Sequence, residues 1–363
     1  MVHQGWDLWY VIFPIVILGI ALSHYSKPKT GILLLYILLF FSMFRGDHVG
    51  NDTMNYLDET TISYAASSFE SPSADDVIDN LGKKIEFSSL ALNWLVYNLD
   101  LPPRIIIFTY SILLFVFLYL ALRRLRINIS LALMFFVLSG LYYFSLTAAR
   151  QMAALGIMAY GITFLFENNK RRHLFFVFTI IAASFHISAV FFVWLFALRF
   201  ISINRKMSMV IVSCIGLVTI LISFNITDYI YRFFNLEYVA RYMGMFDESE
   251  RSLLGRINDL ILLSFSLCVF MKRRGGDRTD LFDNLFLLGL ILWALFSHSS
   301  MLIARITYYV TVFEVFFFSK IIRENQCFKD KRFMAVFALY CLVTIYGMRG
   351  WAETLTSGYY LMF

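Results

Sequence analysis

Charge is scarce in this chain. Of its 363 residues only 15% are Asp, Glu, Lys or Arg, while 60% are hydrophobic; a soluble domain carries about a quarter charged residues. That shortage excludes an ordinary water-soluble fold. There are 4 cysteines. Cys214, Cys268 and Cys341 lie in apolar runs and Cys327 in a basic connection, so a disulfide framework is not expected. Apolar and polar residues do not alternate in short stretches, which argues against the strands of a membrane barrel. No HExxH, CxxC or DxD spacing offers metal ligands, and no Walker loop or dinucleotide fingerprint is present. Neither a cofactor nor cytosolic nucleotide chemistry is therefore expected. The first residues, MVHQGWD, lack the basic stretch of a cleaved signal, so the first apolar run reads as an ordinary span. No internal repeat suggests the inverted halves of a transporter.

What the chain has instead is long apolar runs, such as GILLLYILLFFSMF and RIIIFTYSILLFVFLYLAL. Coiled as helices of about 17–25 residues, such runs match the hydrocarbon thickness of a bilayer. Spans are predicted near 8–23, 31–44, 104–122, 127–143, 148–166, 172–198, 208–224, 255–271, 281–297, 300–319 and 333–349. The expected fold is all-α: one polytopic transmembrane domain over 1–363. A large outer loop is expected at 45–103 and a second at 225–254, with 86–99 as an interfacial or re-entrant helix.

The net charge of +6 would suggest nucleic acid in a soluble protein. Here the basic residues concentrate in six short connections: Lys27/Lys29, Arg123/Arg124/Arg126, Lys170/Arg171/Arg172, Arg199/Arg205/Lys206, Lys272/Arg273/Arg274/Arg278 and the run from Lys320 to Arg332. The positive-inside rule puts these in the cytoplasm and the acid-rich segments outside; no nucleic-acid partner is expected. One run resists this count. Residues 172–198 join two basic connections, yet as one helix they would reach about 39 Å at 1.5 Å per residue and would invert everything downstream. A tight re-entrant hairpin, broken near Ala183–Ser188 with His186 at its tip, restores parity. Counting both limbs, the chain then crosses about 11–12 times.

Four constellations carry chemistry. The segment FRGDHVGNDTMNYL packs Arg45, Asp47, His48, Asp52 and Tyr56 close together, with Gly46 and Gly50 allowing a tight path. It reads either as a solvated loop or as a polar pocket floor, in which an arginine binds phosphate and an aspartate takes a proton or orients a hydroxyl. Arg150 opens the fifth span with no acidic residue nearby in sequence; such a charge either snorkels or is functional. Gly161, eleven residues on, falls within about 20° of the same helix face, and Ala153, Ala154, Gly156 and Ala159 make this helix suited to close packing. His186 sits in FHISA, as a core histidine or a functional one at the hairpin tip. Arg305 lies near the outer end of the tenth span, one turn before Tyr308 and Tyr309 and nine residues before Glu314, as an interhelical ion pair or an anion contact. Arginines gathered at one membrane face without metal ligands suit a pyrophosphate carried on a lipid.

The order of these blocks resembles the EpsG family, the Wzy-type polysaccharide polymerases. The segment from Arg45 through Gly50 and Asp52 to Tyr56 is similar to that family's early motif, the Arg150 helix and FHISA to its next two blocks, and Arg305 with Tyr308 to its late block. The spacing of Arg150 and Gly161 also resembles the Arg-x10-Gly signature of O-antigen polymerase loops, although no second copy occurs here. The resemblance implies a metal-independent, inverting glycosyltransferase with a GT-C-like fold in the bacterial inner membrane, its active site facing the periplasm. It would join undecaprenyl-pyrophosphate-linked repeat units, as donor and acceptor, into O-antigen or a related surface polysaccharide, with a chain-length co-polymerase as partner. Arg150 and Arg305 would neutralise the leaving pyrophosphate. Arg45 would add a contact or hold Asp52. Asp52 or His186 would take the acceptor proton; an aspartate beside an arginine is a weak base, which favours His186. Tyr56 and Tyr308 would stack on the glycan, and Asp47, Gly50 and Gly161 would line the substrate site. An O-antigen ligase shares the donor, and a flippase would instead line a central path with charge; both stay open at this point.

Overall fold

The computed structural model describes residues 13–24, 27–47, 49–50, 52–70, 86–166, 171–222, 253–273, 276–296 and 301–355. The expected outer loop 225–254 lies outside these residues, as does His48. Among the described residues there is no named strand; one isolated bridge joins Asn204 and Arg278. Helices Arg104–Arg124 and Ala149–Phe166 are each long and apolar enough to cross a membrane, and a bent pair, Ile129–Leu138 with Leu141–Thr147, makes up to three if it counts as one span. Several shorter apolar helices accompany them. This is the build of a helical membrane protein. The chain packs as two compact units, Met1–Val193 with Met348–Phe363, and Trp194–Gly347; each is described by itself.

In the first unit α1 (Phe13–His24) and α2 (Pro28–Met43) pack on α7 (Ile129–Leu138). Between α2 and α6 (Arg104–Arg124) the expected loop is itself helical. It contains α3 (Thr53–Leu57), α4 (Glu59–Glu70) and α5 (Phe87–Asn98), with α4 packed along α5. Asp58 starts α4: its carboxylate accepts the Thr61 N–H at 3.0 Å and both Thr60 and Thr61 hydroxyls at 2.6 Å. Those bonds satisfy donors left open by the first helical turn and hold the Asp58 carboxyl below its usual range. Asn128 caps α7 in the same way, accepting the Leu131 N–H at 2.9 Å.

The run expected as one span over 127–143 is broken. α7 meets α8 (Leu141–Thr147) at 66°, with Gly140 at φ +79 between them. A left-handed residue ends a helix cheaply only when it lacks a Cβ. α9 (Ala149–Ile162), continued by a 3-10 turn Thr163–Phe166, is almost wholly buried between α6 and α10 (His173–Phe185). Its small residues set that depth: a Cβ at Gly156 would stand 2.8 Å from the Leu114 backbone, and one at Gly161 would stand 2.7 Å from Phe178 Cβ.

α10 ends at Phe185, His186 is extended, and a 3-10 helix Ile187–Phe200 follows. The break thus falls within the window expected from charge. α10 packs along α9 and α5, and the 3-10 helix runs from the first unit into the second. An extended residue between two unlike helices interrupts the run.

The basic connections of this unit gather at one end. A Cβ at Gly31 would meet Ile129 at 2.8 Å, and the Arg124 guanidinium lies over the Phe164 ring at 4.0 Å. The turns around Lys29, Arg126 and Arg171 therefore share a level, and Arg45, Arg104, Arg150 and His186 lie at the opposite helix ends.

The second unit repeats the pattern with α11 (Arg205–Ile222), α12 (Leu253–Lys272), α13 (Leu281–Phe296), α14 (Met301–Glu324) and α15 (Lys331–Leu355). The Arg205 N–H donates to Asp277 O and the Thr279 N–H to Ile203 O, both at 2.8 Å. Asn284 donates to Leu198 O and Ile201 O at 2.9 and 2.8 Å. The buried Asp283 carboxylate takes Arg273 at 2.5 Å and Arg205 at 3.8 Å. Lys272 pairs with Asp330 at 2.9 Å. Three basic connections of this unit thus meet at one end, as an even number of crossings between them requires.

Two outcomes follow. Gly156→Val will lower the unfolding stability by about 1–3 kcal/mol or more, because the added carbons meet backbone rather than a movable side chain; thermal unfolding in detergent measures it, and an unchanged melt would mean that α6 and α9 are not in that contact. Cysteines placed by Ser202→Cys and Gly276→Cys, with the native cysteines removed, will label from the same side of the membrane with an impermeant maleimide. Labelling from opposite sides would break the pairing of these two connections.

Candidate functional site

The site grows from two frames at the ends of the first unit's helices opposite its basic connections. The first is built on Arg45. Its side chain is fully buried, and it donates from Nε to Thr53 Oγ1 at 3.2 Å and from a terminal nitrogen to Ser42 O at 2.9 Å. Thr53 in turn donates to Val49 O at 2.5 Å and lies 3.4 Å from Leu146 O. Gly50, at φ +84, passes so close to the α8 end that a Cβ would fall 2.0 Å from Leu146 O. Arg104 donates to Arg45 O at 2.8 Å and pairs with the exposed Asp47. Of the two roles open to Arg45, the geometry favours holding the Asp52 segment over touching a ligand. Gly50 and Asp47 likewise serve the shape of the loop, and Gly161 serves helix packing.

The second frame is centred on Arg150, in the first turn of α9. Its guanidinium lies 3.2 Å from the Glu86 carboxylate, which projects from the residue before α5. The other Glu86 oxygen accepts the Ile187 N–H at 3.1 Å, one residue past the break at His186. Beside it, Ser88 and Ser184 hydroxyls meet at 2.6 Å. His186 Nδ1 lies 2.7 Å from Ser188 Oγ and accepts the Ser188 N–H at 3.4 Å, which fixes the ring. Glu86 therefore joins three stretches that are far apart in sequence.

Tyr56 bridges the two frames. It lies one helical turn after Asp52, and its ring meets Tyr110 edge-on at 5.6 Å; the Tyr110 hydroxyl donates to Ser89 Oγ at 3.1 Å. Burial pushes the Tyr56 phenol up, the Asp52 carboxylate adds to that, and Arg150 opposes both. Tyr56 thus stays protonated at ordinary pH and acts as a hydrogen-bond donor, not a base. Asp52, Tyr56, Arg150 and His186 are brought into one region, together with Glu86, Ser188 and Tyr110, which sequence reasoning missed. The signal for Glu86 was an acid immediately before an apolar helix, visible in EFSSLALNWL but indistinguishable there from a solvated helix start.

In the second unit, α14 carries Arg305 and Tyr308. Tyr308 is partly buried, and the Arg305 side chain lies outside the described residues. Among the described residues no group of three His, Cys, Asp or Glu is placed to hold a metal ion.

Two substitutions test the first frame. Arg45→Ala leaves the Ser42 carbonyl without its guanidinium donor and Thr53 without its partner, and Thr53→Val removes one of those bonds; each will destabilise the protein by about 1–3 kcal/mol. Thermal melts and the yield of monodisperse protein in detergent measure both. An Arg45→Ala protein that melts with the parent would mean that the guanidinium does not frame the loop.

Neither a curated protein nor a solved structure matches the chain. A protein-family model does: that of the EpsG family, over residues 30–361. That match takes in Arg45, Asp52, Tyr56, Glu86, Arg150, His186 and Arg305 in a single pass. The chain belongs to the EpsG family, the family of Wzy-like polysaccharide polymerases.

Proposed function

We propose that this protein joins undecaprenyl-pyrophosphate-linked oligosaccharide repeat units into O-antigen or a related surface polysaccharide at the periplasmic face of the inner membrane. The observation that carries the reading is the convergence of Arg150, Tyr56, Asp52 and His186 at the end of the first unit opposite its basic connections. A reaction on a lipid-borne pyrophosphate calls for such a cationic, hydroxyl-binding site at the membrane surface. The basic ends then face the cytoplasm by the positive-inside rule. The scaffold is of the GT-C type with about twelve crossings.

In this reading the growing chain is the donor and a new lipid-linked unit is the acceptor. The acceptor hydroxyl oxygen attacks the anomeric carbon. The bond from that carbon to the pyrophosphate oxygen breaks, the pyrophosphate leaves with the electron pair, and inversion results. Arg150 takes up the charge that develops on the leaving group, where a fixed cation counts most. The proton passes to His186 or Asp52. Tyr56 donates to a sugar oxygen, and Tyr308 contacts the glycan. No step calls for a metal, since guanidinium groups supply the positive charge. The polyprenyl tails lie between apolar helices, and a separate co-polymerase sets chain length.

Protein reconstituted with a synthetic lipid-linked repeat unit will give a ladder of products, and EDTA will not suppress it. Arg150→Ala will insert normally yet lose the ladder, by about a hundredfold or more in rate. Near-normal chain length in that variant would remove Arg150 from the leaving-group role. Transfer of one unit without extension would point instead to a ligase.

A further inference from the structure

The Arg150 guanidinium assigned to the pyrophosphate already has an anion. Glu86 neutralises it, and a neutral pair has little attraction for a phosphate. Three observations bear on how this is resolved. The pair is reachable: the Arg150 and Glu86 side chains keep 17% and 14% of their surface, whereas Arg45 keeps none. The contact is 3.2 Å, longer than the 2.7–2.9 Å typical of a strong charge-assisted bond. The Glu86 carboxylate makes no capping bond to its own helix α5 and reaches across to Arg150 and to the Ile187 N–H instead.

We infer that Glu86 is the resident counter-ion of Arg150 and is exchanged for the pyrophosphate of a lipid carrier when that ligand arrives. A carboxylate brings one negative charge and a pyrophosphate diester two, with more acceptor oxygens for the guanidinium fork, so the incoming group outcompetes the resident one. In the empty protein the pair keeps an arginine at the membrane surface from lying uncompensated. The ligand's identity rests on the polymerase reading. The exchange itself requires only a lipid-borne pyrophosphate.

The test is Glu86→Gln, which keeps an acceptor for the Ile187 N–H and removes the competing charge. Farnesyl pyrophosphate titrated into purified full-length protein will bind the variant about tenfold or more tightly than the parent. In the reconstituted reaction KM for the lipid-linked unit will fall and kcat will fall with it, because the leaving pyrophosphate is released more slowly. A damaged fold raises KM or simply loses activity and does not tighten binding. Arg150→Ala will abolish the titration in both backgrounds. Inorganic pyrophosphate, run in parallel, separates headgroup from tail: gain for farnesyl pyrophosphate alone assigns the site to a lipid carrier, and gain for both assigns it to the pyrophosphate headgroup. Unchanged or weaker farnesyl pyrophosphate binding by Glu86→Gln, or none by either protein, overturns the exchange. If the parent binds and exchanges but forms no ladder, the polymerase reading fails and the exchange stands.

Discussion

The Arg150–Glu86 pair decides how the end of the first unit opposite its basic connections is put together. A largely buried guanidinium has to be answered by an anion or by water, and α9 has no acid of its own to supply one. The answer comes from the start of α5, more than sixty positions earlier in the chain. Because the same carboxylate also holds the amide after His186, the histidine, the arginine and the outer helical segment keep fixed distances from one another. The neighbouring contacts depend on that geometry, including Tyr56 under the Arg150 backbone and Ser88 against Ser184.

Arg45 and Arg150 show how one residue type serves two ends. Arg45 is sealed, its nitrogens turned to Thr53 and a backbone carbonyl, and it shapes a loop from within. Arg150 keeps an open edge. In the second unit, Arg205 and Arg273 converge on Asp283 and lie near Phe270, Phe282 and Phe317. There the arginines tie two connections together and face no ligand-binding region described above. What each guanidinium meets, more than residue type, separates the frame from the candidate site.

Much of this was legible in the sequence, for physical reasons. Apolar runs give helices because the bilayer leaves the backbone no other partner, and α6 and α9 fall where hydrophobicity alone put them. Charge placed the break at His186, since two basic connections cannot lie on opposite sides of one crossing. Three things were not legible. The 66° bend after α7 turns on Gly140, a lone glycine in an apolar run that gives no periodic signal. Between α2 and α6, α5 matches the helix expected at 86–99, but α4 leaves no such trace; it forms because α4 and α5 bury each other, a tertiary effect. Glu86 is far from Arg150 in sequence, and ion-pair partners at that distance leave no local trace. Gly50 and Gly161 stand where a Cβ would collide with a neighbour, and Asp47 pairs with Arg104, so each also has a part in shaping the protein.

The 3-10 helix after His186 alters the arithmetic of thickness. At about 2.0 Å per residue, its fourteen residues extend to about 28 Å, close to the hydrocarbon depth of about 30 Å. Wound as an α-helix, the same residues would give about 21 Å. The rises of α10 and the 3-10 helix add to about 48 Å along the chain, more than one straight crossing can absorb. Tighter coiling therefore lengthens a short apolar run. Any change of this run from 3-10 to α would draw its far end in by about 7 Å, so the winding of fourteen residues acts as a measure of the bilayer beside the break at His186.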